Sequence, residues 1–250
     1  MRDPLHDPFR HCPQLRGRIV EPDSSIYRRL DPALLDEKMR LNGVDLSLRR
    51  SDEDRERTRR ELLAGRERDD LWVFAYGSLM WDPAFHYAEI RFGELDGHHR
   101  KFCLKTVLGR GNRDWPGLMA GLDRGGDCKG LCFRIDRDNV EAETAVLWRR
   151  EMVFRSYAPR FLPMQTPQGH IEAIAFVVDH HAQNYLGDLT FEDTARMIGT
   201  GTGEFGTNLS YVENLAEQFA ALGVEDAELL ALRDRAREIA AATPIAAGAG

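Results

Sequence analysis

Leu71-Trp72-Val73-Phe74-Ala75-Tyr76, ended at once by Gly77-Ser78, is the stretch on which the fold turns. An unbroken apolar and aromatic run of this length, bounded by turn residues, suits a buried strand and is too short for a core helix. Downstream, similar runs fall at 90–95, 101–107, 117–122, 129–135, 161–165 and 171–178, most of them separated by Gly or Pro. Helical spacing instead marks 138–152, 190–198, 209–222 and 226–242. Strands come mostly first and helices mostly later. That order predicts an α+β protein with a largely antiparallel or barrel-like sheet, not a regular βαβ alternation.

Upstream of Leu71 the character changes. Residues 1–30 are rich in Pro, Arg and Asp and show little periodicity. Asp31-Pro32 then reads as an N-cap followed by Pro at the first helical position, predicting a short helix over Pro32–Leu41. Residues 51–70 interleave Arg, Glu and Asp with nearly cancelling signs. Ser51 with Asp54 resembles a capping box, so this run is expected to be a solvated helix with Leu62 and Leu63 near its end. The expected organisation is a charged, partly helical extension over 1–70 and a compact domain over 71–250. The Gly/Ala-rich tail after Thr243 is expected to fray.

The 250 residues carry 34 Lys+Arg against 41 Asp+Glu, a net charge of −7, with a sequence pI near 5.7. An acidic chain lacks the basic footprint that general nucleic-acid binding needs. Hydrophobic residues make up 42%, enough for a packed core. Mean hydropathy is −0.45 and no apolar run is long enough to span a membrane. Met1 to Arg10 holds Asp3, Asp7 and two prolines, which is not a secretory signal. The expected compartment is the cytoplasm. There, Cys12, Cys103, Cys128 and Cys132 read as small buried thiols.

Three motifs mislead. Gly201-Thr-Gly203-Glu-Phe-Gly206 matches a dinucleotide fingerprint, but it follows a helical stretch and not a strand. It is better read as a link between two helices, with Thr207 or Asn208 capping the second. His98-His99 and His180-His181 are adjacent pairs that point to opposite faces of a strand, so neither pair chelates a metal. Asn208-Leu-Ser210 is a glycosylation sequon without the secretory context that would give it meaning.

Two elements carry chemistry. In the helix at 138–152, Asp138 reads as an N-cap with Glu141 closing a capping box. Val140, Thr144 and Leu147 share a stripe, and Glu151 continues it inward, while Arg149 and Arg150 turn to other faces. A carboxylate on an apolar stripe loses hydration, and in the last helical turn the macrodipole disfavours its charge. Both effects push Glu151 toward a pKa useful for proton transfer. A Glu simply paired with a neighbouring arginine is the other reading of this spacing. The second element is Gly77-Ser78, directly after the strand. Such a turn presents successive backbone N–H groups able to hold a carboxylate or a developing oxyanion.

Taken together, Phe74-Ala-Tyr76-Gly77-Ser78-Leu79-Met80-Trp81 and Trp148-Arg149-Arg150-Glu151-Met152 resemble the ChaC-like branch of the gamma-glutamylcyclotransferases. Arg100-Lys101-Phe102, the loop from Arg110-Gly111 to Pro116-Gly117, Tyr185-Leu-Gly187 and Asn208-Leu-Ser-Tyr211 fit the same pattern. The resemblance covers residues 71 to about 225. It implies a small mixed-strand barrel with surrounding helices. It also implies cleavage of glutathione to 5-oxoproline and cysteinylglycine, without a cofactor. By position Glu151 matches the catalytic glutamate, and Tyr76, Gly77, Ser78 and Leu79 match the loop that holds the gamma-glutamyl group. Tyr157 and Tyr211 match pocket tyrosines. Arg110 and Arg113 are candidates for the glycine carboxylate, with Trp115 as an apolar wall.

Two other functions are compatible with the same residues. One is a cyclotransferase for another gamma-glutamyl amine or peptide. The other is a non-catalytic ligand-binding or regulatory protein. Residues 1–70 keep a regulatory role available, by covering the pocket mouth or by self-association.

Overall fold

The computed structural model describes residues 7–66 and 68–243. The Gly/Ala-rich stretch from residue 244 lies outside the described residues. The chain enters through short 3-10 turns and then forms α1 (Pro32–Leu41) and α2 (Asp52–Leu63). The barrel strands follow as β1 (Leu71–Ala75), β2 (Glu89–Thr106) and β3 (Gly117–Ile135), then, after α3 (Val140–Glu151), β4 (Tyr157–Thr166) and β5 (Gly169–Val178). Next come α4 (Phe191–Thr200), a tiny hairpin of β6 (Thr202–Gly203) and β7 (Gly206–Thr207), α5 (Asn208–Ala221) and α6 (Ala227–Ala242). None of the described helices is long and apolar enough to cross a membrane.

The expected α+β barrel is present. Its strands close in the order β1-β3-β2-β4-β5, with further pairing of β5 to β3 and β1. Most neighbours are antiparallel, while β1–β5 and β3–β5 are parallel, so the barrel is mixed. β1 is the central staple. Its Val73, Phe74 and Ala75 are fully buried, as the unbroken apolar run requires.

The strand pieces at 90–95 and 101–107 are halves of one strand, as are those at 117–122 and 129–135. The polar residues between them did not end the pairing. β2 and β3 stay in register from Glu89↔Arg134 to Thr106↔Gly117, with irregularities at Asp96/His98 and Phe102/Leu104 that absorb the break. The hairpin is thus carried past the core, where both faces are polar.

Helix ends follow local chemistry with one exception. Asp31, Ser51 and Thr207 cap α1, α2 and α5 through their side chains. Asp138 does not cap α3. A 3-10 turn, Arg137–Asn139, precedes the helix and Asn139 occupies the cap without a side-chain bond. The Glu141 carboxylate is drawn away to Arg59 on α2. The four cysteines are buried free thiols.

The segment before β1 wraps the barrel and α3. Cys12, Leu15, Ile19 and Leu63 join the same hydrophobic cluster as the strands. α2 is more than a solvated helix. Arg59, only 2% exposed, bonds Glu56, Glu141 and Thr144. Arg28 grips Glu143 of α3 with two bonds of 2.7 and 3.0 Å and also donates to the Ala84 carbonyl. Glu143 is only 5% exposed, so its charge depends on that fork and on the His86 N–H. Arg28→Ala is therefore expected to destabilise the fold by about 3 kcal/mol, because it strands a buried carboxylate. The double variant Arg28→Met/Glu143→Met should recover much of the loss. Urea unfolding of the two variants checks both statements.

Candidate active site

β1 delivers its chain end into a cavity of about 1280 Å³. After Ala75 the backbone turns through Tyr76 and Gly77 into a 3-10 turn, Ser78–Met80. The first N–H groups of such a turn have no partner within it, and the Ser78 N–H is met from outside by the Tyr211 hydroxyl. Arg100 of β2 fixes the turn from behind. Its Nε donates to the Tyr76 carbonyl at 2.6 Å, and its other nitrogens reach Lys129 O and Asp226. Gly77 is required by proximity, since a Cβ there would sit 2.8 Å from the Tyr211 hydroxyl.

α3 delivers the acid. Val140, Thr144, Leu147 and Trp148 are buried against the barrel, and Trp148 meets Phe176 edge-on at 5.5 Å. Glu151 continues that face and ends at the cavity wall, with its side chain 15% exposed. Burial raises its pKa above the usual carboxylate range, and the charge and hydrogen bond of Arg150 oppose the rise. Both readings of the spacing hold, because Glu151 faces inward and is also paired, at 3.0 Å, with Arg150 Nε.

Arg150 departs from expectation. It does not turn to another face. Its side chain is 4% exposed and lies along the site, donating to the Asp82 carbonyl and, at 2.9 Å, to Ser78 Oγ. Its long stem lets it curl back from the last helical turn, a freedom that face-counting on a helix ignores. Arg150 therefore links Glu151 to the β1 turn.

Three tyrosines close the floor. Tyr76 donates to the Phe176 carbonyl at 2.6 Å and Tyr157 to the Ala120 carbonyl at 3.0 Å. Burial raises both well above the ordinary tyrosine value, and the nearby Glu151 charge adds to the rise. Burial pushes Tyr211 up to about 12 against backbone hydrogen bonds at Ala120 and Ser78. All three are therefore neutral near pH 7. Tyr211 is placed by Asn208, whose buried amide bonds both the N–H and the carbonyl of Leu118 at 2.8 Å.

The cavity, of about 1280 Å³, brings together Glu151, Tyr76, Gly77, Ser78, Leu79, Arg110, Tyr157 and Tyr211. Burial lowers the pKa of Arg110, and the Tyr27 and Tyr211 side chains counter this. Arg110 bonds Ser210 Oγ at 2.5 Å and the Thr207 carbonyl, and has no carboxylate partner among the described residues. Arg113 and Trp115 do not line this cavity, contrary to expectation. The Arg113 side chain instead lies beside Gly43, and Trp115 is 38% exposed. Their loop folds back on itself through Asn112, which bonds the Asp114 and Trp115 N–H groups.

Other motif pieces are braces. Lys101 donates to Gly187 O, and Leu186 N to Cys103 O, tying the loop after β5 to β2. Asp123 anchors the same loop. Burial alone would raise its carboxyl, but His180, the Arg124 N–H and Tyr185 outweigh this and hold it at about 2. Gly201 to Gly206 forms the helix-linking hairpin, as its context indicated. Among the described residues, no cluster of three His, Cys, Asp or Glu is arranged to hold a metal ion.

The sequence allows residues 1–70 to cover the pocket mouth but singles out no residue there. Tyr27, Leu30, Leu34, Leu35, Lys38 and Val44, all from the segment before β1, line the cavity's outer wall. The apolar spacing of α1 is a partial signal for Leu34 and Leu35.

A family model described as ChaC-like protein matches residues 71–239. Glutathione-specific gamma-glutamylcyclotransferase of Escherichia coli (strain K12) is 35% identical over 191 residues, covering 76% of this chain and 83% of that protein. Glutathione-specific gamma-glutamylcyclotransferase 1 of Homo sapiens is 32% identical over 171 residues, covering 66% and 77%. The crystal structure of a glutathione-specific gamma-glutamyl cyclotransferase from yeast has a TM-score of 0.65 at 17% identity, covering 70% of this chain and 99% of that one. At that identity the likeness is one of fold.

The pair at the end of α3 makes a direct prediction. Carboxyl NMR of the protein should show Glu151 titrating above an ordinary glutamate. Arg150→Gln removes the opposing charge, so the titration should move further upward.

Proposed function

The chain belongs to the ChaC-like protein family, and from that premise we propose that it cleaves glutathione into 5-oxoproline and cysteinylglycine, with Glu151 carrying the proton. The observation that supports this most is the desolvated Glu151 carboxyl opening on the cavity beside the Ser78 turn. The reading includes a cytoplasmic location.

The reaction is internal to the substrate. The gamma-glutamyl alpha-amine attacks its own side-chain amide carbon and closes a five-membered ring, and the bond to the cysteine nitrogen breaks. Nucleophile and electrophile are tethered, so the site mainly holds the substrate in a folded, near-attack shape. A free alpha-amine has a pKa of about 8, so near pH 7 it is mostly ammonium. Glu151 takes the proton that must leave the amine and returns it to the departing cysteine nitrogen. A raised pKa suits this return trip, since a strongly acidic carboxyl would not hold the proton between the two steps.

The amides of Gly77, Ser78 and Leu79 meet either the alpha-carboxylate or the oxyanion of the tetrahedral intermediate. Neutral Tyr76, Tyr157 and Tyr211 wall off water. Arg110, half-buried and lacking a carboxylate, takes the glycine carboxylate at the far end of glutathione. The cavity exceeds the ~300–1000 Å³ usual for small-molecule sites, which favours a bulkier gamma-glutamyl amide as the second reading.

Incubation with reduced glutathione should yield equal amounts of 5-oxoproline and cysteinylglycine by mass spectrometry. A panel of gamma-glutamyl amides separates the two substrate readings. Glu151→Gln should keep binding and cut turnover on the order of a hundredfold or more. Near-normal turnover in that variant would sink the assignment. Arg110→Ala should raise the Michaelis constant for glutathione roughly tenfold and spare substrates that lack the glycine carboxylate. An unchanged constant removes Arg110 from the site.

A further inference from the structure

The segment before β1 does more than cover the cavity. Tyr27 lies outside the residues matched by the family model, yet its ring lies over the Arg150 guanidinium, 4.1 Å from centroid to Cζ. The edges of that guanidinium are already engaged by the Asp82 carbonyl, Ser78 Oγ and Glu151. Edge bonds hold a planar group in its plane, and a ring against one face restrains it out of plane and excludes water there. We propose that Tyr27 is a positioning residue of the reaction, holding Arg150 in the orientation that serves both Glu151 and the Ser78 turn. This rests on the proposed role of Glu151.

The placement of Tyr27 is itself built. Ser25 Oγ accepts from the Tyr27 N–H at 3.2 Å and starts the turn that carries it. The next residue, Arg28, is clamped to Glu143 of α3, the same helix that ends in Arg150 and Glu151. From the other side Phe205, in the hairpin between β6 and β7, meets the Tyr27 ring edge-on at 5.8 Å. The Tyr27 hydroxyl makes no hydrogen bond among the described residues. The ring, and not the hydroxyl, is thus the part engaged.

The electrostatic consequence follows from what surrounds Glu151. Arg150 neighbours it on α3, Tyr76 at the end of β1, Tyr157 on β4, Tyr211 on α5, and Tyr27 on the N-terminal segment. Asp82, 8% exposed, faces Arg150 at 3.5 Å. The four tyrosines are uncharged across the acid and neutral range. The proximity of Arg150 is therefore what restrains the rise in the Glu151 pKa. If Tyr27 holds Arg150 in place, losing the ring loosens the pair and moves Glu151 upward.

Tyr27→Leu and Tyr27→Phe, in the full chain, test this. The expected result for Tyr27→Leu is a loss of kcat/KM on the order of tenfold. The acid limb of its pH profile and the NMR titration of Glu151 should both move upward, in the same direction as in Arg150→Gln. Tyr27→Phe, which keeps the ring, should recover most of the activity and the original titration. A lower rate in Tyr27→Leu with an unshifted Glu151 titration would overturn the proposal, since that marks a merely loosened wall. Equal impairment of Tyr27→Phe would also overturn it, by placing the effect in the hydroxyl. If Tyr27→Leu melts early, Tyr27→Met takes its place and is read the same way. Wild-type protein that forms no 5-oxoproline refutes the reaction, while the NMR titrations still decide whether Tyr27 acts on Glu151 through Arg150.

Discussion

A carboxyl group brought into a protein wall must be paired, protonated or used, and this fold arranges Glu151 so that the first two are balanced. Burial drives its pKa up, and Arg150 at 3.0 Å holds the rise in check. The end of a helix is an unfavourable place for a negative charge, which adds to the pressure from burial. The carboxyl is thereby held above an ordinary glutamate but tied to a fixed guanidinium. The rest of the structure depends on that balance, because every element around the site fixes either Glu151, Arg150 or the β1 turn that Arg150 reaches.

The barrel supplies rigidity in layers. β1 pairs with β3 on one side and β5 on the other, so the turn at Gly77 and Ser78 leaves from a strand held on both edges. Arg100 and Tyr211 then hold that turn from two directions. α3 is held on its barrel face by Leu147 and Trp148 and on its outer face by Arg28 and Arg59 from the N-terminal segment. Residues 7–66 therefore share the barrel's core, grip the helix that carries the acid, and line the cavity's outer wall.

Much of this was legible in residue order, for local reasons. The apolar run at Leu71 could only be a buried strand, and strands preceding helices pointed to a barrel. The stripe from Val140 through Leu147 placed Glu151 inward because helical periodicity is a property of neighbouring residues. The caps at Asp31, Ser51 and Thr207 are equally local. The nucleotide-like glycines were dismissed correctly because their flanks were wrong.

What tertiary structure alone decided concerns residues whose partners are distant in sequence. Arg150 turns inward because Ser78 and Asp82 await it, some seventy residues earlier. Asp138 fails as a cap, and Glu141 is taken by Arg59 across more than eighty residues. Arg113 lies beside Gly43, about seventy residues earlier, and Tyr27 enters the site because Arg28 finds Glu143 on α3. Periodicity and capping report the field of adjacent residues, and so they determined the strands, the helices and the inward face of Glu151. The direction of a long, flexible side chain is set by whichever buried polar group meets it first, and only the folded chain decides which group that is.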